Sequence, residues 1–169
     1  MQPDSNSVKW GKLKGDAEEA MRPLPLGPRV AAIVEDAKYK KASTGSDMIE
    51  AKMAIFEGEP LNRKLFNNFV LTPDNAFAMN MFFARMEAFG IDGSVFTKLE
   101  QQPGDIVQHL AVIAELMVGR KVWVTMDEPR SFGGVARDNP NKFEVYPGQP
   151  AVVFNAGGLP GASAGPTGG

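Results

Sequence analysis

The sequence predicts a mainly β chain with a helical insert, an α+β architecture of five strands. Three observations carry it. Between residues 29 and 71 the chain shows three strand-like segments separated by turn residues. Between 72 and 119 the apolar spacing becomes helical, and from Arg120 strict alternation returns.

The first strand runs from Arg29 to Lys40, with Val30, Ala31, Ala32, Ile33 and Val34 leading into a Lys-Tyr-Lys-Lys cluster. It follows Pro23-Leu-Pro-Leu-Gly27-Pro28, which is unfit for a helix. Ser43-Thr44-Gly45-Ser46 has the composition of a hairpin loop. From Met48 to Phe56, Ile49, Ala51, Met53 and Ile55 alternate with Glu50, Lys52 and Ala54, as in a half-buried strand. Glu57-Gly58-Glu59-Pro60 turns the chain into a third strand, Arg63 to Leu71, with Phe66 and Phe69 on opposite faces.

Thr72-Pro73-Asp74 reads as a helix start, and Met79, Phe82, Phe83, Met86 and Phe89 follow before Gly90. Asp105 opens a second helix with Ile106, Leu110, Ile113, Ala114 and Met117 on one face, ending at Gly119; Ile91 to Gly104 reads as a loop. Arg120 to Met126 sets Val122, Val124 and Met126 against Lys121, Trp123 and Thr125. A loop rich in Gly, Asn and Pro precedes the last strand, Phe143 to Tyr146. Three strands, a helical insert and two strands is the element order of a five-stranded OB-like barrel. Another small β-barrel or an α+β sheet is the alternative.

The ends differ from the middle. Residues 1–21 form a polar N-terminal segment with little apolar periodicity, and 149–169 hold six glycines, three prolines and no charge, the composition of a flexible tail. Residues 22–148 remain as one domain. The start of the chain shows no targeting signal, and no apolar run approaches the ~20 residues of a membrane span. The expectation is a cytoplasmic protein without a membrane partner.

The 169 residues include no cysteine and one histidine, with 18 basic and 20 acidic side chains for a formal charge of −2. Disulfides, thiolate metal sites and cysteine nucleophiles are thereby excluded. The acid pairs Asp127–Glu128 and Glu57–Glu59 sit in turns, and Phe132-Gly133-Gly134 lacks the lysine and helix start of a phosphate loop. His109 lies beside an apolar helix face and has no identifiable nucleophile to serve. No enzyme, cofactor or metal is expected.

Binding single strands without sequence preference needs cations for the backbone and flat side chains for the bases. In an OB barrel the ligand lies on strands two and three and the loops 1–2 and 4–5. Lys38, Tyr39, Lys40 and Lys41 end the first strand, Lys52 is on the polar face of the second, and Lys64 begins the third. Lys121 and Trp123 share a face of the fourth strand; Arg130, Phe132 and Arg137 follow it, and Lys142 and Tyr146 belong to the fifth. A surface strand carries lysine for solubility alone. Trp123 is more diagnostic, because a tryptophan on the polar side of a strand needs a cover, whether a base, the helical insert or the N-terminal segment.

Ordered pieces of the chain resemble the phage-encoded OB-fold single-stranded DNA-binding proteins. They are Leu24-Pro-Leu-Gly27 before the Val30–Glu35 strand, Lys41-Ala-Ser-Thr-Gly45-Ser, Met48–Phe56 with Glu57-Gly58, Asn62-Arg-Lys-Leu-Phe66-Asn-Asn-Phe69-Val-Leu71, and Gly119-Arg-Lys-Val-Trp-Val124. The resemblance spans about residues 24–147. It implies sequence-tolerant binding and protection of single-stranded DNA during phage replication or recombination, beside recombination or replication proteins, with a homo-oligomer open. The uncharged C-terminus departs from the acidic, partner-recruiting tail of many such proteins. The alternative function is a β-barrel protein-interaction or assembly module, suited by the Met/Phe content of the insert. Basic groups lining one groove with Trp123 would favour DNA; even dispersal would favour the module.

Overall fold

Side-chain alternation decides which face of each strand is buried, and the computed structural model of the chain follows it. The structure describes residues 8–20, 22–23, 29–132 and 134–154. A helix, α1 (Trp10–Ala20), precedes β1 (Val30–Lys41), β2 (Asp47–Glu57) and β3 (Lys64–Val70). Three helices follow, α2 (Ala76–Ala88), α3 (Gly93–Glu100) and α4 (Ile106–Met117), then β4 (Lys121–Phe132) and β5 (Val135–Val145). The strands form one antiparallel sheet in the order β3-β2-β1-β4-β5.

One face of this sheet is the core. Ile49, Ala51, Met53 and Ile55 of β2 are buried with Val30, Ala32 and Val34 of β1, Leu65 and Phe69 of β3, and Val122, Val124 and Met126 of β4. Helix α4 lies on this face through Leu110, Ile113, Ala114 and Met117, and α2 contributes Phe82 and Met86. Phe69, Phe89 and Phe143 pack ring to ring, with centroids 5.3–5.8 Å apart. Each phenylalanine hides 150–250 Å², so this cluster anchors helices to sheet.

Four expectations are corrected. The sheet is not closed into a barrel: β3 and β5 are its edges, with no ladder joining them among the described residues. Side chains span that gap instead. Arg63 donates to Asp138 at 2.9 Å, both largely buried, and Phe69 meets Phe143. Pro140, opposite Met126 beside a register shift, has no N–H for a ladder, which suits an edge strand. Second, α2 is capped by Asn75, whose side chain accepts from the Ala78 N–H, rather than starting at Thr72. Third, the expected loop after α2 contains α3, capped by Asp92. Fourth, β4 and β5 extend far past the predicted alternations as one long hairpin.

At the N-terminal end α1 is helical, with an ion pair between Lys12 and Asp16 at 2.9 Å. At the other end, residues 149–154 are held rather than free. The Gln149 amide donates to the Lys121 carbonyl at 2.6 Å and accepts from its N–H at 2.8 Å. Val152 N–H donates to the Gly90 carbonyl at 2.8 Å, and Phe154 is 2% exposed. Gly90, at φ +88°, leaves room for Arg120, whose Nε donates to the Phe89 carbonyl and whose Nη2 donates to Pro150. Residues 149–154, expected as part of a flexible tail, are thus docked, and the rest of that expected tail, 155–169, lies outside the described residues. No helix among the described residues is long and apolar enough to cross a membrane.

Candidate nucleic-acid interface

The sheet face opposite the helices is built from the other half of each alternation. Lys64, Phe66, Asn68 and Val70 of β3 stand beside Met48, Glu50, Lys52 and Ala54 of β2, residue against residue. Ile33, Asp36, Lys38 and Lys40 continue the face on β1, and Lys121, Trp123 and Thr125 on β4. Lys142 and Glu144 complete it on β5.

Two aromatic platforms stand on this face. The first is Phe66, 61% exposed and directly opposite Lys52. A large ring left mostly in water at the centre of a strand contributes little to the core. The second is a cluster: Trp123 lies 5.5 Å from Tyr146, and Tyr146 meets Phe56 edge-on at 5.2 Å. Cations lace it. The Arg29 guanidinium sits 4.3 Å over the Trp123 ring and also reaches Glu144 at 3.7 Å. Lys121 Nζ lies 5.2 Å from the Phe56 ring and 5.9 Å from Tyr146. Such contacts contribute about 0.5–1 kcal/mol each at exposed positions. The cover that Trp123 needs is therefore supplied on one side by Arg29, from the segment just before β1. Phe66 and Trp123 are three strands apart across the sheet, so a chain touching both must span about 20 Å.

The charges are mixed. Seven cations on or over this face (Arg29, Lys38, Lys40, Lys52, Lys64, Lys121 and Lys142) face five carboxylates (Glu35, Asp36, Glu50, Glu57 and Glu144). Lys38 and Lys40 share Glu50, at 3.7 and 3.1 Å, and Lys64 pairs with Glu35 at 2.8 Å. That hydrogen bond from Lys64 holds the Glu35 carboxyl below its ordinary value. These pairs are solvent-exposed and so are worth at most ~1 kcal/mol, little enough for a phosphate to displace the carboxylate. Lys52, Lys121 and Lys142 have no carboxylate within 4.0 Å among the described residues.

The structure divides the residues singled out by sequence. Lys38, Lys40, Lys52, Lys64, Lys121, Trp123 and Lys142 share this face, with Tyr146 at its rim, where its hydroxyl donates to Glu57 at 2.8 Å. Tyr39 points the other way, packing on the core edge and donating to Asp47 at 2.6 Å. Its strand alternates, so it cannot share a face with Lys38 and Lys40. Lys41 pairs with Asp47 at 3.6 Å in the β1–β2 hairpin. Arg130 and Arg137 face each other at the far end of the β4–β5 hairpin. Phe132 ends β4, and its side chain lies outside those described.

Phe66 and Arg29 are the residues that sequence reasoning passed over. Phe66 had a signal: it alternates with Leu65 and Phe69, on the side of Lys64. Arg29 had none, because only the fold brings it over Trp123. Among the described residues no three histidines or carboxylates gather as a metal would require. No protein-family model matches the chain, and no match is found among curated proteins.

Proposed function

We propose that this chain binds and protects single-stranded DNA without strong sequence preference and without catalysis, in phage replication or recombination. One observation carries the reading: the helix-free face of the sheet presents an exposed phenylalanine, Phe66, beside Lys52 and Lys64, and an aromatic cluster laced by Arg29 and Lys121. Stacking rings with interleaved cations are what a sequence-tolerant single-strand binder requires. The strand order, with β1 between β2 and β4 and the helices inserted between β3 and β4, supports an OB-like reading in an open variant. It fits the resemblance to the phage single-stranded DNA-binding family. Recombination or replication proteins and a second copy of the chain are the protein partners that resemblance implies.

The test is competition. Anisotropy of a labelled oligo-dT at low salt, challenged with unlabelled single strands and with duplex, should show saturable binding that single strands displace and duplex does not. Absence of saturable binding would refute the proposal. The protein-interaction alternative has its own support, since Phe77 and Phe83 on α2 are 75% and 43% exposed. Equal displacement by duplex would refute the preference for single strands.

A further inference from the structure

A cavity of about 250 Å³ opens between β3, α2 and the β4–β5 hairpin. Its lining combines five apolar side chains, Phe69, Met81 and Phe82 among them, with two guanidinium groups, Arg85 and Arg130, and with Asn68 and Thr72. Neither arginine has a carboxylate within 4.0 Å among the described residues. Arg85 is held in place by other means: its Nη2 donates to the Asn141 carbonyl at 3.3 Å, and its guanidinium lies 5.9 Å from the Phe143 ring. Burial, and then the charge of Arg130, push Arg85 below its ordinary value. Arg137 is the cross-strand partner of Arg130, so a third like charge stands opposite. Like charges directly opposite each other destabilise a sheet. Arg130 and Arg137 are exposed, so solvent screens part of this repulsion, and a bound anion would relieve the remainder.

The chemistry of the cluster selects an oxyanion. Guanidinium presents a rigid fork that matches phosphate oxygens two at a time, and Asn and Thr add neutral donors. The cavity is smaller than the ~300–1,000 Å³ of small-molecule pockets, which suits one phosphodiester group rather than a whole metabolite. It also adjoins the sheet face. Asn68 lies two residues beyond Phe66 on the same face of β3, about 7 Å along the strand. A chain stacked on Phe66 therefore reaches the cleft by following the β3 edge, which has no strand beside it.

We propose that this cleft is a phosphate-binding subsite for the backbone of the bound single strand, with Arg85 and Arg130 as its ligands. The assignment rests on the DNA-binding reading of the sheet face and extends its path around β3 to the β4–β5 hairpin.

Arg130→Gln is the decisive variant, because Arg130 is exposed and makes no hydrogen bond that the fold needs. Oligo-dT binding by the full chain is measured by anisotropy over a range of salt. Losing one phosphate contact should make the log–log salt slope shallower by about 0.7 and weaken binding about fivefold near 0.1 M salt. Arg130→Lys should restore most of both, since an ammonium still neutralises a phosphate. Lys98→Gln on α3, which removes the same charge elsewhere, should leave the slope unchanged. If Arg130→Gln binds like the wild type, or if Lys98→Gln weakens binding equally, the subsite is overturned while the sheet-face reading stands. Failure of the wild-type chain to bind oligo-dT would overturn both.

Discussion

Replacing Phe66 by leucine separates the contribution of this side chain to folding from its contribution to binding. Phe66 is 61% exposed, so about 40% of a surface near 200 Å² is hidden, or about 80 Å². At ~25 cal/mol per Å² its whole burial contributes at most about 2 kcal/mol, and leucine retains most of that. The unfolding free energy of Phe66→Leu should accordingly fall by less than about 1 kcal/mol. Binding should respond differently, because leucine has no flat face. Loss of a stacked base costs about 1–3 kcal/mol, or roughly 5- to 150-fold in Kd. Urea unfolding and oligo-dT anisotropy on the same preparation read the two quantities. Unchanged oligo-dT affinity in a folded Phe66→Leu protein would refute the assignment of this ring as a platform. A loss of stability above about 2 kcal/mol would refute the claim that the fold does not need it.

Other predictions follow from the packing. Arg63→Met removes the ion pair that links the two sheet edges, and should destabilise by about 3 kcal/mol in urea, at the lower end for a largely buried pair; a loss below 1 kcal/mol would show the edges to be held by the phenylalanines alone. Phe154→Ala should also cost about 3 kcal/mol, because the residue is 2% exposed in the segment after β5, and no loss would mean that this segment is not docked in solution. The two tyrosines, Tyr39 and Tyr146, are the only ones in the chain, and each donates to a carboxylate that raises its value above the ordinary ~10. A phenol raised in the folded state lends stability that is fully present below pH ~10 and is lost as pH climbs through the folded value. Phenolate absorbance should therefore rise later in the folded protein than in urea, and coincident curves would contradict both hydrogen bonds.

The parts of this molecule that were legible in sequence are those where burial imposes a period. The alternation of β2 and the start of α4 at Asp105 appear in the structure as read, and the structure adds a Gln108 capping box to that start. The far halves of β4 and β5 were not legible, because Pro129, Asn139, Pro140 and Asn141 have loop composition. There β4 is exposed from Asp127 to Ser131, and what β5 buries is Pro140 with part of Asp138 and Asn139, so no apolar alternation marks the hairpin. Helix α3 escaped notice because only Val95 and Leu99 of its eight residues are buried. Edge pairing leaves no periodic trace either, so an open sheet and a closed barrel share one pattern of residues. Parity assigned Lys52, Lys121 and Trp123 to the polar faces of their strands, where the structure has them, whereas Lys38 to Lys41 were taken as one run, from which parity excludes Tyr39. Phe66 was within reach of that argument. Arg29 and Arg85 were not, since their positions depend on chain segments brought together only by folding.

The most direct measurement of the central claim is the salt dependence of oligo-dT binding, followed by the fluorescence of Trp123 in a Trp10→Phe background. Trp10 is 74% exposed on α1, and replacing it leaves Trp123 as the sole tryptophan. Four or five backbone contacts predict a log–log slope near −3, at about −0.7 per phosphate, with saturable quenching of Trp123 as the strand displaces or covers Arg29. Absence of binding at low salt, or binding with a slope near zero and no change in Trp123 emission, would contradict the account.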